Sequence, residues 1–320
     1  ILNLLIEDRV SIFKADSLRS LLIVLTFFTI LFLYLKNILK KNYAIYSIIF
    51  LIIFDLWGIN KQYVNSDQFV KKSVLKTPFV ITNADKAILQ DKSDFRVFEP
   101  EKGFSNGRTS FFHKSIAGYH AAKPKRIQDL YDFYIVEENT NILNMLNVKY
   151  IIKQSPDNPL GVSRNPNNFG NAWFTNEIIH AKNSNNELLY LGEIDIKKNT
   201  VTQNNYLKNK TFKTDTLNTI SLKSRIANKL IYESITSSDQ FAVFSEAFYS
   251  DGWQAYIDDE PVDHYRVNYL LRGMEIPKGK HTIKFEFKPS VVQTGAVISI
   301  FAYFLFALSL IKFFKHKYYV

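Results

Sequence analysis

Residues 21–35 read LLIVLTFFTILFLYL, and no charge occurs from Ser20 to Leu35. Arg19 and Lys36 flank the run and can snorkel, so about 20 residues are available to cross a hydrocarbon core of about 30 Å. A second run covers 42–54, with AIYSIIFLIIF at its centre, and continues past Asp55 through Leu56, Trp57, Gly58 and Ile59. A third, uncharged from Pro289 to Ile311, ends FAYFLFALSLI. All three are apolar around the whole helix circumference, unlike the one-sided stripe of a surface helix. The reading is transmembrane helices at about 18–37, 42–59 and 289–312. Lys36, Lys40 and Lys41 fill the link between the first two; Lys312, Lys315 and Lys317 follow the third, in a tail at 313–320. The positive-inside rule predicts that link and tail are cytoplasmic and that 61–288 lies outside. Trp57 and Tyr63 fit an interfacial aromatic belt at the outer end, Tyr318 and Tyr319 one at the inner end.

The rest of the 320 residues is not membrane-like. The chain is 47% hydrophobic and 22% charged, which excludes a disordered or collagen-like polymer. Its mean hydropathy of −0.10 averages over strongly segregated regions. With no cysteine, a disulfide framework, thiolate-bound zinc and a thiol nucleophile are excluded. The net charge of +10 is not focused: 61–288 holds 31 basic and 26 acidic residues, and the remaining excess flanks the apolar runs. A nucleic-acid footprint would be concentrated, so nucleic acid is not an expected partner. The sequence opens at Ile1 without an initiator Met, and a fragment of a longer chain is expected.

Between the membrane segments two regions are predicted. Residues 61–215 read as mixed α/β, with strands at DFRVFEP (94–100) and VKYIIK (148–153). Pro124 suits the first turn of a helix, after which Ile127, Leu130, Tyr131, Tyr134 and Ile135 keep helical spacing. A short helix follows through Ile142, Leu143, Met145 and Leu146, then an Asn/Pro/Gly loop at 154–171 and a helix at 184–191. Residues 216–288 read as a compact antiparallel β-sandwich of seven strands: LNTISLKS, KLIYESI, QFAVFSEA, WQAYID, VDHYRV, LLRGMEIP and HTIKFEFKP.

FSEAFYSDGWQAYIDDEPV, then NYLLRGMEIPKGKHTIKFEFKP, then a terminal apolar helix, resembles the carboxyl-terminal end of the bacterial YfhO-like membrane proteins. SDQFV, DFRVF, TSFFHKSIAGYHAAKPKRIQDL, NMLNVKYII and GNAWF extend the resemblance upstream, in the order expected of Bacteroidetes members. The resemblance implies a large polytopic protein of the bacterial inner membrane, similar to the GT-C glycosyltransferases that use polyprenyl-phosphate-linked sugars. It further implies a sugar donor on that carrier, an envelope glycan or lipid acceptor, and membrane lipid as partners. The catalytic acid of GT-C enzymes sits in an early external loop with no counterpart in these residues, so no catalytic residue transfers. No cofactor is implied here; a divalent metal would belong to the missing part. Three function classes fit: a part of a transfer enzyme, a non-enzymatic glycan-binding or envelope-assembly module, and a part of a transporter for a lipid-linked substrate.

Several side chains are candidates for binding. Arg108, His113, Lys114, Tyr119, His120, Lys123, Lys125 and Arg126 crowd one stretch, where cations could meet a phosphate of a lipid-linked donor. A solvated basic face is the alternative. Asp55 is an acid at the edge of an apolar run, with Arg9, Arg19 or a residue of the missing part as candidate partner; reaching the outer interface or pairing helices is the alternative to a substrate or proton role. Trp173, Trp253, Tyr249 and Tyr256 are candidates for stacking on a sugar, with Asp251 and Asp258 as polar edges; core packing is the alternative for Trp253 and Tyr256. Gly103–Gly107 matches G-x-S-x-G, but the expected surroundings are a turn, not a strand–turn–helix elbow. His113 and His120 lack metal-ligand spacing, and KGKH (278–281) lacks the glycines of a phosphate loop.

Overall fold

The computed structural model describes residues 2–154, 161–213, 215 and 217–318. Part of the expected loop at 155–160, Tyr319 and the end of the tail lie outside the described residues, as do the side chains beyond Lys312. The chain forms two compact units, 1–78 and 79–320.

The first unit is a helical hairpin. Helix α1 (Leu2–Leu35) and helix α2 (Lys41–Tyr63) are joined by a tight link. Asn37 takes a left-handed φ of 58°, which breaks α1, and the Ile38 and Leu39 N–H groups cap the Leu33 carbonyl. Helix α1 begins earlier than its apolar run, because 2–18 contains neither Gly nor Pro and the hydrogen-bond ladder continues into polar sequence. A short helix α3 (Lys72–Lys76) follows.

The second unit starts with α4 (Asn83–Ile88), whose N-terminus is closed by a reciprocal Thr82–Asp85 capping box. Strand β1 (Arg96–Phe98) leads into α5 (Arg108–Phe112) and α6 (Lys125–Leu130). Pro124 is the residue just before α6. A π-helical turn, Tyr131–Ile135, extends α6, with Val136 N–H bonded to Tyr131 O. Helix α7 (Thr140–Met145) precedes β2 (Val148–Ile152) and β3 (Val162–Arg164), which with β1 form a three-stranded sheet in the order β1-β2-β3. Next come β4 (Ala172–Thr175), β5 (Glu177–His180), α8 (Ser184–Glu193) and β6 (Asn199–Thr202), with β5 and β6 paired in parallel.

The sandwich uses β7 (Thr219–Ile226), β8 (Lys229–Thr236), β9 (Gln240–Ala247), β10 (Trp253–Ile257), β11 (Glu260–Val262), β12 (Tyr265–Val267), β13 (Leu271–Ile276) and β14 (Gly279–Phe287). One sheet has the order β11-β10-β14-β8-β7, the other β12-β13-β9-β4. Tyr232, Phe244, Met274, Ile276, Ile283 and Phe285 fill the space between them. The predicted strand VDHYRV is two strands: the chain leaves one sheet after Val262 and joins the other at Tyr265, so Asp263 and His264 cross between layers.

The expected division at 215/216 is not a seam in the packing. Strand β4, far upstream, pairs with β9 as an edge of the sandwich. Alternation explains the rest. In β9, Ala242 and Phe244 point into the sandwich, while Phe241 and Val243 point to the other face and pack with Leu143, Ile178, Leu191 and Val201 of the α/β layer. One sheet therefore serves two cores. After Pro289 the chain becomes α9 (Ser290–Tyr318), uncharged and exposed over its apolar length. Among the described residues, three helices are long and apolar enough to cross a bilayer: Arg9–Leu35, Lys41–Gln68 and Ser290–Lys312.

Candidate functional site

The basic run at 108–126 is not one cluster. Its first half is tied down by buried carboxylates. Arg108 at the start of α5 pairs with Asp85 and, at 2.9 Å, with Glu99, while His113 Nε2 lies 3.0 Å from Asp85 Oδ1. Thr109 Oγ1 also donates to Glu99, at 2.6 Å. Burial would raise the Asp85 carboxyl, yet Thr82, His113 and Arg108 hold it below the usual carboxylate range. Arg108 therefore neutralises buried acids, His113 is held against Asp85, and neither is presented to a ligand. Lys114 pairs with Asp94. Tyr119 is 79% exposed, His120 accepts the Ala122 N–H on Nδ1, and Lys123 sits over the Phe104 ring at 4.4 Å.

The second half opens onto a groove of about 600 Å³ lined by Lys125, Arg126, Asp129, Phe133, Ser184 and Tyr269, among others. Its floor is Tyr269, in the three-residue turn between β12 and β13. Asn268 and Tyr269 there have φ of 47° and 68°. Asn tolerates the left-handed region, but for a tyrosine it costs on the order of 1 kcal/mol or more and needs support. The support is extensive. The Tyr269 N–H donates to Glu187 Oε1 at 3.1 Å, and its hydroxyl donates to Asp129 Oδ2 at 2.7 Å. Its ring carries the Arg126 guanidinium at 4.3 Å. Asn268 exchanges both of its backbone-directed bonds with Val201 of β6.

Arg126 is fixed in turn. It donates to Tyr269 O at 3.2 Å and Ser184 Oγ at 3.1 Å, and lies 3.5 Å from Glu187. Glu187, fully buried on α8, also accepts from Gln203 Nε2 at 2.5 Å and approaches Arg266 at 4.0 Å. Burial, with the Asp129 hydrogen bond, pushes the Tyr269 hydroxyl up to about 12, so it stays a donor. Above this rigid floor, Phe133 of the π-helical turn is 61% exposed and Leu189 of α8 is 55% exposed. The extra residue of a π turn displaces side chains from the α-helical stripe, and such turns recur at functional sites. Lys125 makes no ion pair among the described residues. The groove thus combines an apolar rim with a polar floor whose hydrogen-bonding groups are pre-oriented. Among the described residues no three acidic or histidine side chains gather as a metal site.

A second polar cluster lies at one end of the sandwich. Glu246 of β9 pairs with Arg96 at 3.0 Å and Arg225 at 2.6 Å, and Arg225 Nε approaches Asp94 at 2.9 Å. Burial alone would raise the Glu246 carboxyl; Arg96 and Arg225 bring it below the normal range. Arg272 of β13 enters between the sheets, with Nε on Ala247 O at 2.9 Å and its plane over Trp253 at 4.1 Å. Burial pulls it down to about 10. His264, at the crossing between sheets, packs on Phe248 and Phe285, and burial beside Arg272 pushes it down to about 4. Strand alternation marks these residues in the sequence: Glu246 shares parity with Ala242 and Phe244, and Arg272 with Met274 and Ile276. Tyr269 carries no such mark, because a left-handed tyrosine is unexpected.

The remaining candidates are dispersed. Trp173 on β4 is 7% exposed and packs edge-on against Phe169 in the core, so it cannot stack on a sugar. Trp253 lies against Arg272 and Phe287. Tyr249 is half exposed, and Tyr256 lies under Lys284 at 4.5 Å. Asp258 is occupied by His281 Nδ1 at 2.6 Å and the Thr282 N–H. Ser105 follows Gly103 and the buried Phe104 in a turn; α5 does follow, contrary to the sequence expectation, but no strand leads directly into that turn. In the first unit, Asp55 meets Arg19 at 3.5 Å, and Arg19 meets Asp16 at 3.1 Å. The Arg19–Asp55 approach is an ion pair without an aligned hydrogen bond.

Residues 210–299 match the family model described as bacterial membrane protein YfhO. The match covers β7 to β14 and the start of α9, and it agrees with the resemblance carried by the sandwich motifs. No match is found among curated proteins or among solved structures.

Proposed function

We propose that this chain is a portion of a YfhO-like protein of the bacterial inner membrane, and that its groove beside Arg126 binds the saccharide of a polyprenyl-phosphate-linked donor. In this reading 61–288 is extracytoplasmic, and the parent protein is a GT-C-like glycosyltransferase acting on an envelope glycan or lipid. The observation that carries it is the held Tyr269: a strained residue fixed from three sides makes the floor of an open groove, and strain of this kind is retained where function needs it. A sugar ring presents an apolar C–H face and a polar hydroxyl edge. Phe133 and Leu189 suit the first; Ser184, Asn185 and Arg126 suit the second. In this reading Lys125, which lines the groove, meets the carrier phosphate. A volume of about 600 Å³ falls in the range of small-ligand sites.

The groove's carboxylates favour binding over bond cleavage here. Asp129 is engaged by the Tyr269 hydroxyl and Glu187 is fully buried, so neither is a free acid or base. The non-enzymatic module reading gains support from the same fact. The chain's own part is therefore to hold and orient a saccharide, and no catalytic residue is assigned to it.

Photocrosslinking tests this reading. The full chain in nanodiscs is exposed to a diazirine-bearing polyprenyl-phosphate hexose. Labelled peptides from 125–133 and 184–189 are expected; labelling confined to the sandwich surface overturns the assignment. Topology is checked separately, with single cysteines in a naturally cysteine-free chain. An impermeant maleimide should reach Lys123→Cys and not Lys41→Cys in intact cells; the reverse pattern refutes the orientation.

A further inference from the structure

The carboxyl-terminal end of α2 carries a second groove, of about 680 Å³, wholly within the first unit. Its wall is one helix face: Ile53, Leu56, Trp57, Asn60 and Lys61 follow at i, i+3, i+4, i+7 and i+8. The face changes character along its length. It is apolar from Ile53 to Trp57 and polar at Asn60 and Lys61, over a rise of about 12 Å. The chain leaves the helix in extended form at Val64, turns through a 3-10 segment at Ser66–Gln68, and brings Phe69 into the groove's lining. Apolar at one end and amide- and ammonium-lined at the other, the groove has the polarity of a single amphiphile.

The surroundings favour an anionic one. Trp57, Tyr63, Phe69 and Leu75 are each at least 70% exposed, an unusual density of bare apolar surface for a segment in water. Lys61, Lys71, Lys72 and Lys76 are interleaved with them, and none has an ion pair among the described residues. Asp67 is the sole acid from 56 to 84. Aromatic and basic side chains mixed at the end of a membrane-length helix describe an interfacial segment. The helix end itself bears partial negative charge, so any attraction for a phosphate must come from the lysines.

We infer that this groove is a site for one anionic phospholipid of the surrounding bilayer. An acyl chain lies along Ile53, Leu56, Trp57 and Phe69, the phosphate is met by Lys61, and Lys71, Lys72 and Lys76 hold the following segment on the charged surface. The inference does not involve the groove at Arg126, and either can fail alone.

The test is native mass spectrometry of the full chain released from nanodiscs of phosphatidylcholine containing phosphatidylglycerol. Retention of one phosphatidylglycerol over phosphatidylcholine is expected. Lys61→Gln should lower that preference about fivefold, the change expected for one interfacial lysine. Lys71→Gln, Lys72→Gln and Lys76→Gln should each act in the same direction. Phe69→Ala should reduce retention of both lipids. Lys40→Gln with Lys41→Gln, at the other end of α2, is the control for unspecific attraction of lipid to basic helix ends. Equal retention of the two lipids overturns the inference. So does a loss in the Lys40/Lys41 variant as large as that in Lys61→Gln, which would make the lipid a member of the general annulus. Circular dichroism of each variant separates loss of the site from loss of the helix.

Discussion

Arg108 and Arg126 come from the same basic run, and they do opposite things. Arg108 is spent inside the protein, closing a ring with Asp85, Glu99 and His113 beside a helix cap. Arg126 is held just as firmly, by Glu187, Ser184 and the Tyr269 ring, but it lines an open groove. Rigidity is common to both; access is not. A cluster of cations in sequence thus says little about a ligand until the acids that neutralise it are known.

The largest effects should separate buried pairing from groove lining. Asp85→Asn leaves Arg108 without one of its two carboxylates and removes the partner of His113, and a loss of about 3–5 kcal/mol is expected for breaking such a buried pair. Glu246→Ala should cost a similar amount, because Arg96 and Arg225 stay behind without it. Both are measurable as urea unfolding of the full chain in detergent micelles. A change under about 0.5 kcal/mol in either would mean that these clusters are solvated and that the contrast is misdrawn.

His264 sharpens the comparison through pH. Its folded value of about 4 lies below the unfolded 6.5, so the folded state binds fewer protons between those values. Its neutral form contributes stability that is fully present above about pH 6.5 and is lost as pH falls toward about 4. Asp85 and Glu246, with lowered values, contribute loss only at still lower pH, through the carboxylate range. Replacing the imidazole in His264→Phe should flatten the stability profile between about pH 6.5 and 4. An unchanged slope would assign that window to another group.

Much of the fold was readable from the residues. The apolar runs gave three membrane-length helices, and alternation in LNTISLKS and HTIKFEFKP gave sandwich strands within about two residues of their spans. Alternation within a strand is local, and the pairing partner is not. Nothing in GNAWF announces that β4 will close the edge of a sheet built mainly from residues after 218, and nothing in VDHYRV marks the step between sheets at Asp263–His264. The site was less legible for the same reason. Arg126 was a candidate through its charge, but Tyr269, Asp129, Phe133 and Glu187 come from separate elements and meet only through tertiary packing. Trp173 shows the converse: its aromatic character suggested a sugar platform, yet β4 belongs to a sheet covered on both faces, so the ring is buried.

The smallest expected effects lie at the groove rim. Phe133→Ala removes an exposed ring, so stability should change by less than about 0.5 kcal/mol. Saccharide affinity should fall about tenfold, the loss of one stacking contact of roughly 1 kcal/mol or slightly more. Tyr119→Ala, at a still more exposed aromatic outside the groove, should change neither quantity.

The most direct measurement is equilibrium binding of a polyprenyl-phosphate-linked hexose, against the bare polyprenyl phosphate, to the full chain in nanodiscs. The proposed role predicts saturable binding that depends on the sugar, weakened about tenfold by Phe133→Ala and unaffected by Tyr119→Ala. Equal binding of the two lipids, or the same sugar affinity in wild type and Phe133→Ala, would contradict it.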